Sequence, residues 1–220
     1  MLIRALTFFL LTLTVLSAAD WPQHLGPLRT GHSPEKDLMT TWPADGLKNA
    51  WKVPGGVGMS GIAVLDSLAV TLVQKERQQY ALALDAKTGE TKWEIAIGPE
   101  YNNPMGNGPR AFPALTSTQA FVFSGQGILA AISLKTGKLH WKHDTIQEHQ
   151  GEVADYGMAA SPLVIGNVVV ITTGHKNGVA IAAYSAEEGK PQWQTNFPDS
   201  VGYSCPALLE VAGEKQLVVF

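Results

Sequence analysis

Three segments of the chain align without gaps, and their recurrence constrains the fold more than any other feature. They run Ala83-Leu-Asp-Ala-Lys-Thr-Gly-Glu-Thr-Lys-Trp93, Ala131-Ile-Ser-Leu-Lys-Thr-Gly-Lys-Leu-His-Trp141 and Ala183-Tyr-Ser-Ala-Glu-Glu-Gly-Lys-Pro-Gln-Trp193. Their glycines, Gly89, Gly137 and Gly189, are separated by 48 and 52 positions, and the tryptophans keep that spacing. A fourth tryptophan, Trp51, lies 42 positions before Trp93 and reads as the tail of the same unit. A period near fifty residues is the signature of a repeat architecture, in which one supersecondary unit stacks on the next.

Each unit has a physical logic. A strand such as Tyr80–Leu84 or Val179–Tyr184 enters a polar turn, whose glycine can adopt the positive φ that other residues resist. The chain then reverses into a strand carrying the tryptophan, as in Glu90–Ile97 or Lys138–Lys142. Two more short apolar runs precede each motif. In the third unit they are Leu163–Ile165 and Val168–Thr172, joined by Gly166-Asn167, which suits a two-residue type II′ hairpin. Each unit therefore reads as four antiparallel strands, and stacking such sheets around an axis gives a propeller. Helical-pair repeats of similar period do not fit, because the apolar residues come in runs of four to six broken by Gly and Pro. Complete units are expected over about 60–97, 111–144 and 160–196. A fourth begins at Ser204 and reaches Leu217–Phe220, so about three and a half blades are present. The expected division is 1–19 leader, 20–59 N-terminal segment and 60–220 repeats, with the Trp51 strand closing the ring and the chain truncated at its C-terminal end.

Composition agrees with short strands and turns: 22 Gly, 13 Pro and only 16% charged residues among 220. The formal charge of −3 offers no basic stripe for phosphates, which sets nucleic-acid binding aside. At the N-terminus, Arg4 precedes the apolar run Leu6–Leu16 and then Ser17-Ala18-Ala19. That is a signal-peptide pattern with Asp20 as the expected first mature residue, and the run is too short for a membrane span. The expected location is thus periplasmic or extracellular, with no lipidated cysteine at the cleavage site. Cys205 is the single cysteine, so no internal disulfide forms, and a small buried strand residue is the expectation for it.

The stretch Ala83-x-Asp85-x-x-Thr88-Gly89-x-x-x-Trp93 resembles the docking motif of the pyrroloquinoline-quinone (PQQ) dehydrogenase propellers. The later units depart at Ser133, and at Ser185 and Glu188. In that family the tryptophan packs between neighbouring blades, and the Ala and Gly make room for it. The resemblance implies blade-docking roles for Trp51, Ala83, Asp85, Thr88, Gly89, Trp93, Ala131, Gly137, Trp141, Ala183, Gly189 and Trp193, in a ring of eight blades when complete. The chain is also similar to secreted bacterial PQQ-like propeller proteins of unassigned activity, through Trp21-Pro22-Gln23 with Gly26-Pro27, through Gly108-Pro109-Arg110, through Tyr156–Leu163 and through Gly202-Tyr203-Ser204. A further likeness is to the periplasmic lipoprotein that assists outer-membrane protein assembly, whose lipidated cysteine is missing here.

The resemblance does not bring the dehydrogenase chemistry with it. Those enzymes hold PQQ with Ca²⁺ on the propeller axis, use an Asp as base and commonly place a vicinal cysteine pair against the cofactor. One cysteine excludes the pair, and no position here matches the Ca²⁺ ligands or the base. Arg110 is the best polar candidate: an Arg in a Gly-rich loop before an inner strand can hold an anion by paired hydrogen bonds, or simply bond loop carbonyls. His140, His143 and His149, with Glu148, Glu152 and Asp155, fit no zinc spacing, and a solvated loop is expected. The loop Asp144–Asp155 is a weaker candidate for Ca²⁺. His175 is expected at a hairpin tip. No Ser-His-Asp elbow or phosphate loop is present. The expected function is a non-catalytic binding or scaffold module for an unknown protein or small ligand. The alternatives are a PQQ-dependent alcohol or sugar dehydrogenase and an outer-membrane assembly scaffold.

Overall fold

A computed structural model describes residues 19–174, 179–196 and 202–220. The expected leader (1–18 of it) and the His175 hairpin tip lie outside the described residues. The rest is almost entirely β. The first sheet holds β1 (Ala63–Leu65), β2 (Leu68–Lys75), β3 (Gln78–Asp85) and β4 (Thr91–Pro99). The second holds β5 (Ala114–Leu115), β6 (Gln119–Phe123), β7 (Ile128–Ser133) and β8 (Leu139–Asp144), followed by the short helix α1 (Thr145–Glu148). The third holds β9 (Leu163–Ile165), β10 (Val168–Thr172), β11 (Val179–Ser185) and β12 (Pro191–Asn196). A two-stranded sheet of β13 (Ala207–Val211) and β14 (Glu214–Val218) follows. Every sheet is an antiparallel meander in sequence order.

Period-2 alternation assigns the two faces of each blade, because successive residues of a strand point to opposite sides. In the second blade, Ala120, Val122, Ala130 and Ile132 join Val70, Leu72, Ala81 and Trp93 of the first. Their neighbours Phe121, Phe123, Leu129 and Ala131 join Val169, Ile171, Ala182 and Tyr184 of the third. All five residues of β6 are buried, as a strand covered on both faces requires. Leu163, Val170 and Ala183 turn to the other side of the third blade, where Leu208 and Leu217 of the last sheet pack. Three apolar layers thus hold four sheets face to face.

The tryptophan-bearing strand of one blade meets the turn of the next. Trp93 Nε1 donates to Leu134 O at 2.8 Å, Trp141 Nε1 to Ala186 O at 3.0 Å and Trp51 Nε1 to Ala86 O at 3.1 Å. Each indole lies against the turn glycine: a Cβ at Gly89, Gly137 or Gly189 would fall 2.6–2.7 Å from Trp51, Trp93 or Trp141 respectively. Ala83, Ala131 and Ala183 are the cross-strand partners of Trp93, Trp141 and Trp193. Their small side chains leave the space beside the indole. Trp193 differs in being 41% exposed, since no turn among the described residues covers it. Among the described residues, 51–56 carry no ladder pairing, and Val57 forms a single bridge to Gln74.

Asp85 organises the first turn by accepting from Lys87 N and Thr88 N, both at 3.0 Å. Thr88 Oγ1 accepts in turn from Glu90 N at 3.3 Å. Ser133 and Ser185 each accept one backbone N–H at 3.3 Å, from Thr136 and Glu188. A hydroxyl therefore replaces a two-bond carboxylate in the later turns.

Candidate ligand cleft

A cleft of about 680 Å³ opens where the chain enters successive blades. Gly61, Phe112, Ser161 and Cys205 all line it. Each stands two residues before the first strand of its sheet, at Ala63, Ala114, Leu163 and Ala207. The same repeat position thus recurs around one edge of the molecule. Three of these residues are chained by hydrogen bonds: Phe112 N donates to Ser161 Oγ at 2.9 Å, and Ser161 N to Cys205 Sγ at 3.1 Å. The expectation of a buried strand position for Cys205 is corrected here. It is half-buried in the loop before β13, with its side chain on the cleft.

The N-terminal segment covers the cleft. Trp21 exchanges both backbone hydrogen bonds with Val64 of β1, and Pro22 O accepts from Leu115 N of β5 at 2.8 Å. Gly26 then turns the chain with φ of 80° so closely over the Trp21 ring that a Cβ would sit 2.8 Å from it. Gln23 Nε2 donates to Pro27 O at 3.2 Å, and Arg29 Nη2 donates to Gln23 Oε1 at 2.6 Å. The Trp-Pro-Gln and Gly-Pro elements are therefore one folded cap, which brings His24 and Arg29 to the cleft wall.

Arg110 lies on the same cleft. Its Nη1 donates to Gly108 O and its Nη2 to Gly106 O, both at 2.7 Å, and the guanidinium stands 4.7 Å from the Tyr101 ring centre. These contacts fix its orientation without neutralising its charge. Burial lowers the pKa of both Arg29 and Arg110, yet a guanidinium stays charged at any ordinary pH. His24 is lowered by burial first and by the Arg29 charge second. No Asp or Glu lines the cleft among the described residues, whereas Ser161, Tyr203 and Ser204 bring hydroxyls. Sequence reasoning reached Arg110 and missed Arg29 and His24.

The histidines expected in a solvated loop are instead part of a packed polar cluster between the second and third blades. His143 Nδ1 meets Glu148 Oε1 at 2.7 Å, Tyr184 Oη donates to Glu148 Oε2 at 3.0 Å, and His149 Nε2 meets Tyr184 Oη at 2.8 Å. Tyr184 is fully buried. Burial, then Glu148, pushes its pKa well above the usual phenol value. Burial lowers His149. The loop begins as a helical turn capped by Asp144, which accepts from Gln147 N. His140 remains exposed on the outer strand. No group of three or more His, Cys, Asp or Glu side chains among the described residues is arranged to hold a metal.

Four-stranded blades, docked by an indole on a glycine and entered from one common edge, define a PQQ-like β-propeller. Residues 34–216 match the family model described as outer membrane protein assembly factor BamB, and the chain belongs to that family. No curated protein matches it in sequence. Among solved structures, a europium-containing methanol dehydrogenase is similar at 19% identity and a TM-score of 0.51, over 67% of this chain and 26% of that one. The quinohemoprotein alcohol dehydrogenase ADHIIG from Pseudomonas putida HK5 is similar at 24% identity and a TM-score of 0.48, over 66% and 21% of the two chains. That of Comamonas testosteroni shows 21% identity and a TM-score of 0.48, over 64% and 21%. The chain spans about a quarter or less of the length of these dehydrogenases. Among the described residues, no helix is long and apolar enough to cross a membrane.

Proposed function

We propose that this chain is a non-catalytic binding module of an exported propeller, taking its ligand or partner at the cleft where the blades converge. The observation that carries the reading is the chemistry of that cleft. Successive repeats supply one position each, and the walls offer guanidinium groups, hydroxyls and one thiol. The quinoprotein group implied by the fold does not fit this lining. Ca²⁺ is held by several oxygen ligands, carboxylates prominent among them, and a base for alcohol oxidation would also be acidic. The described walls carry no Asp or Glu, and Cys205 has no second cysteine to pair with. A shared fold does not transfer an activity.

The test is titration of the purified full-length protein with PQQ, with and without Ca²⁺, followed by dye reduction with alcohols and sugars. The reading expects no calcium-dependent dye reduction. Stoichiometric, calcium-dependent binding with dye reduction would make the protein a quinoprotein dehydrogenase and overturn it. The family description favours one second reading, a scaffold for outer-membrane protein assembly. It expects the protein to co-purify reciprocally with a defined assembly component at fixed stoichiometry.

A further inference from the structure

Arg29 and Arg110 reach one cleft from unrelated parts of the chain, and among the described residues neither meets a carboxylate. Arg29 comes from the folded cap, where Leu25 and Arg29 hold left-handed φ values of 63° and 55°. Such values are uncommon for residues with side chains and persist when surrounding contacts impose them. Its Nη2 bonds the neutral Gln23 amide. Arg110 comes from the loop before β5 and bonds two backbone carbonyls. Partly buried charge is costly unless an opposite charge compensates it. Among the described residues the cleft walls carry no acidic side chain that would supply the compensating anion.

The rest of the lining narrows the chemistry. Phe112, Met59 and Leu28 give apolar surface, while Ser161, Tyr203 and Ser204 give hydroxyls that can donate to an oxyanion. The cleft of about 680 Å³ falls within the range of roughly 300–1,000 Å³ that holds small organic ligands. We propose that this cleft binds a small organic anion, a carboxylate or phosphate ester with an apolar or aromatic body, whose charged end is taken by Arg29 and Arg110. This rests on the reading of the chain as a binding module acting at the cleft. Charge-assisted bonds from guanidinium to carboxylate or phosphate are the stronger kind of hydrogen bond. The apolar walls would hold the body of the molecule.

The experiment uses the full-length protein with three probes of one shape, benzoate, phenyl phosphate and neutral benzamide, and inorganic phosphate as a headgroup alone. Calorimetry should show benzoate or phenyl phosphate binding about tenfold or more tighter than benzamide and tighter than inorganic phosphate. Arg29→Gln should remove about tenfold of that preference. Leu28→Asp, which places a carboxylate on a cleft residue 80% exposed, should weaken the anions more than benzamide. An independent readout is the His24 ring by NMR: an anion beside Arg29 should raise the His24 pKa, and benzamide should leave it in place. Benzamide binding as tightly as benzoate would overturn the anion proposal while leaving the cleft as a ligand site. Unchanged affinity in Arg29→Gln would overturn it equally. Inorganic phosphate binding as tightly as phenyl phosphate would overturn the apolar body. Binding of none of the four probes would overturn the proposal whole, while partner binding would remain open to its own co-purification test.

Discussion

The indole of Trp93 rests on Gly137 of the next blade so closely that a Cβ on residue 137 would lie 2.6 Å from Trp93 Cβ. Gly137 also has φ of 71°, so the position is closed to side chains by backbone conformation and by space together. Gly137→Ala is expected to destabilise by about 2–4 kcal/mol, from left-handed strain plus overpacking of the indole. Gly213 is the control. It has φ of 82°, but nothing lies within 4 Å of its Cβ direction. Gly213→Ala should cost no more than about 1–2 kcal/mol. Urea unfolding of both variants makes the comparison, and equal losses would remove the contact between blades from the account.

Tyr184 is expected to matter through its hydroxyl as well as its ring. It donates to Glu148 and meets His149, and removing the oxygen leaves two groups each short of a partner. Tyr184→Phe should cost about 1–3 kcal/mol, although the ring and its packing are retained. Chemical denaturation measures the loss, and a neutral result would show that water replaces the hydroxyl.

Asp85 gives a prediction in pH. Backbone N–H groups of Thr88, then Lys87, hold its carboxyl below the usual aspartate range. A depressed folded pKa contributes stability that is fully present above the unfolded value of about 3.9 and is lost as pH falls through the folded value. Asp85→Asn keeps the turn's shape and removes the titration. Its melting temperature should therefore fall less steeply than that of the parent below about pH 4. Parallel thermal melts across that range check the sign, and parallel slopes would contradict it.

Much of the architecture was legible because repetition writes the same physics three times. The Ala, Gly and Trp positions align without gaps, and each answers a steric demand of one contact. What escaped was any role set by departure from the repeat. His143 aligns with Ile95, and Tyr184 with Leu84 and Ile132. The polar cluster between the second and third blades thus stands where Ile95 and Ile132 pack between the first and second. Reading the histidines as a solvated loop followed their spacing along the chain and missed this substitution across blades. The cap was hidden for another reason. Trp21 stacks on Gly26, and Arg29 reaches back to Gln23, local contacts with no periodicity to reveal them. The cleft left a faint trace, since Gly61, Phe112, Ser161 and Cys205 share one repeat position, but unlike residues at a shared position do not announce a site.

The central claim is that blades are held to one another by an indole docked on the next turn. The most direct measurement is equilibrium unfolding of Trp93→Ala. Trp93 is 8% exposed and bonded to Leu134 O. A loss of about 3 kcal/mol or more is predicted, as for other buried aromatic truncations. A loss below about 1 kcal/mol for Trp93→Ala would contradict it.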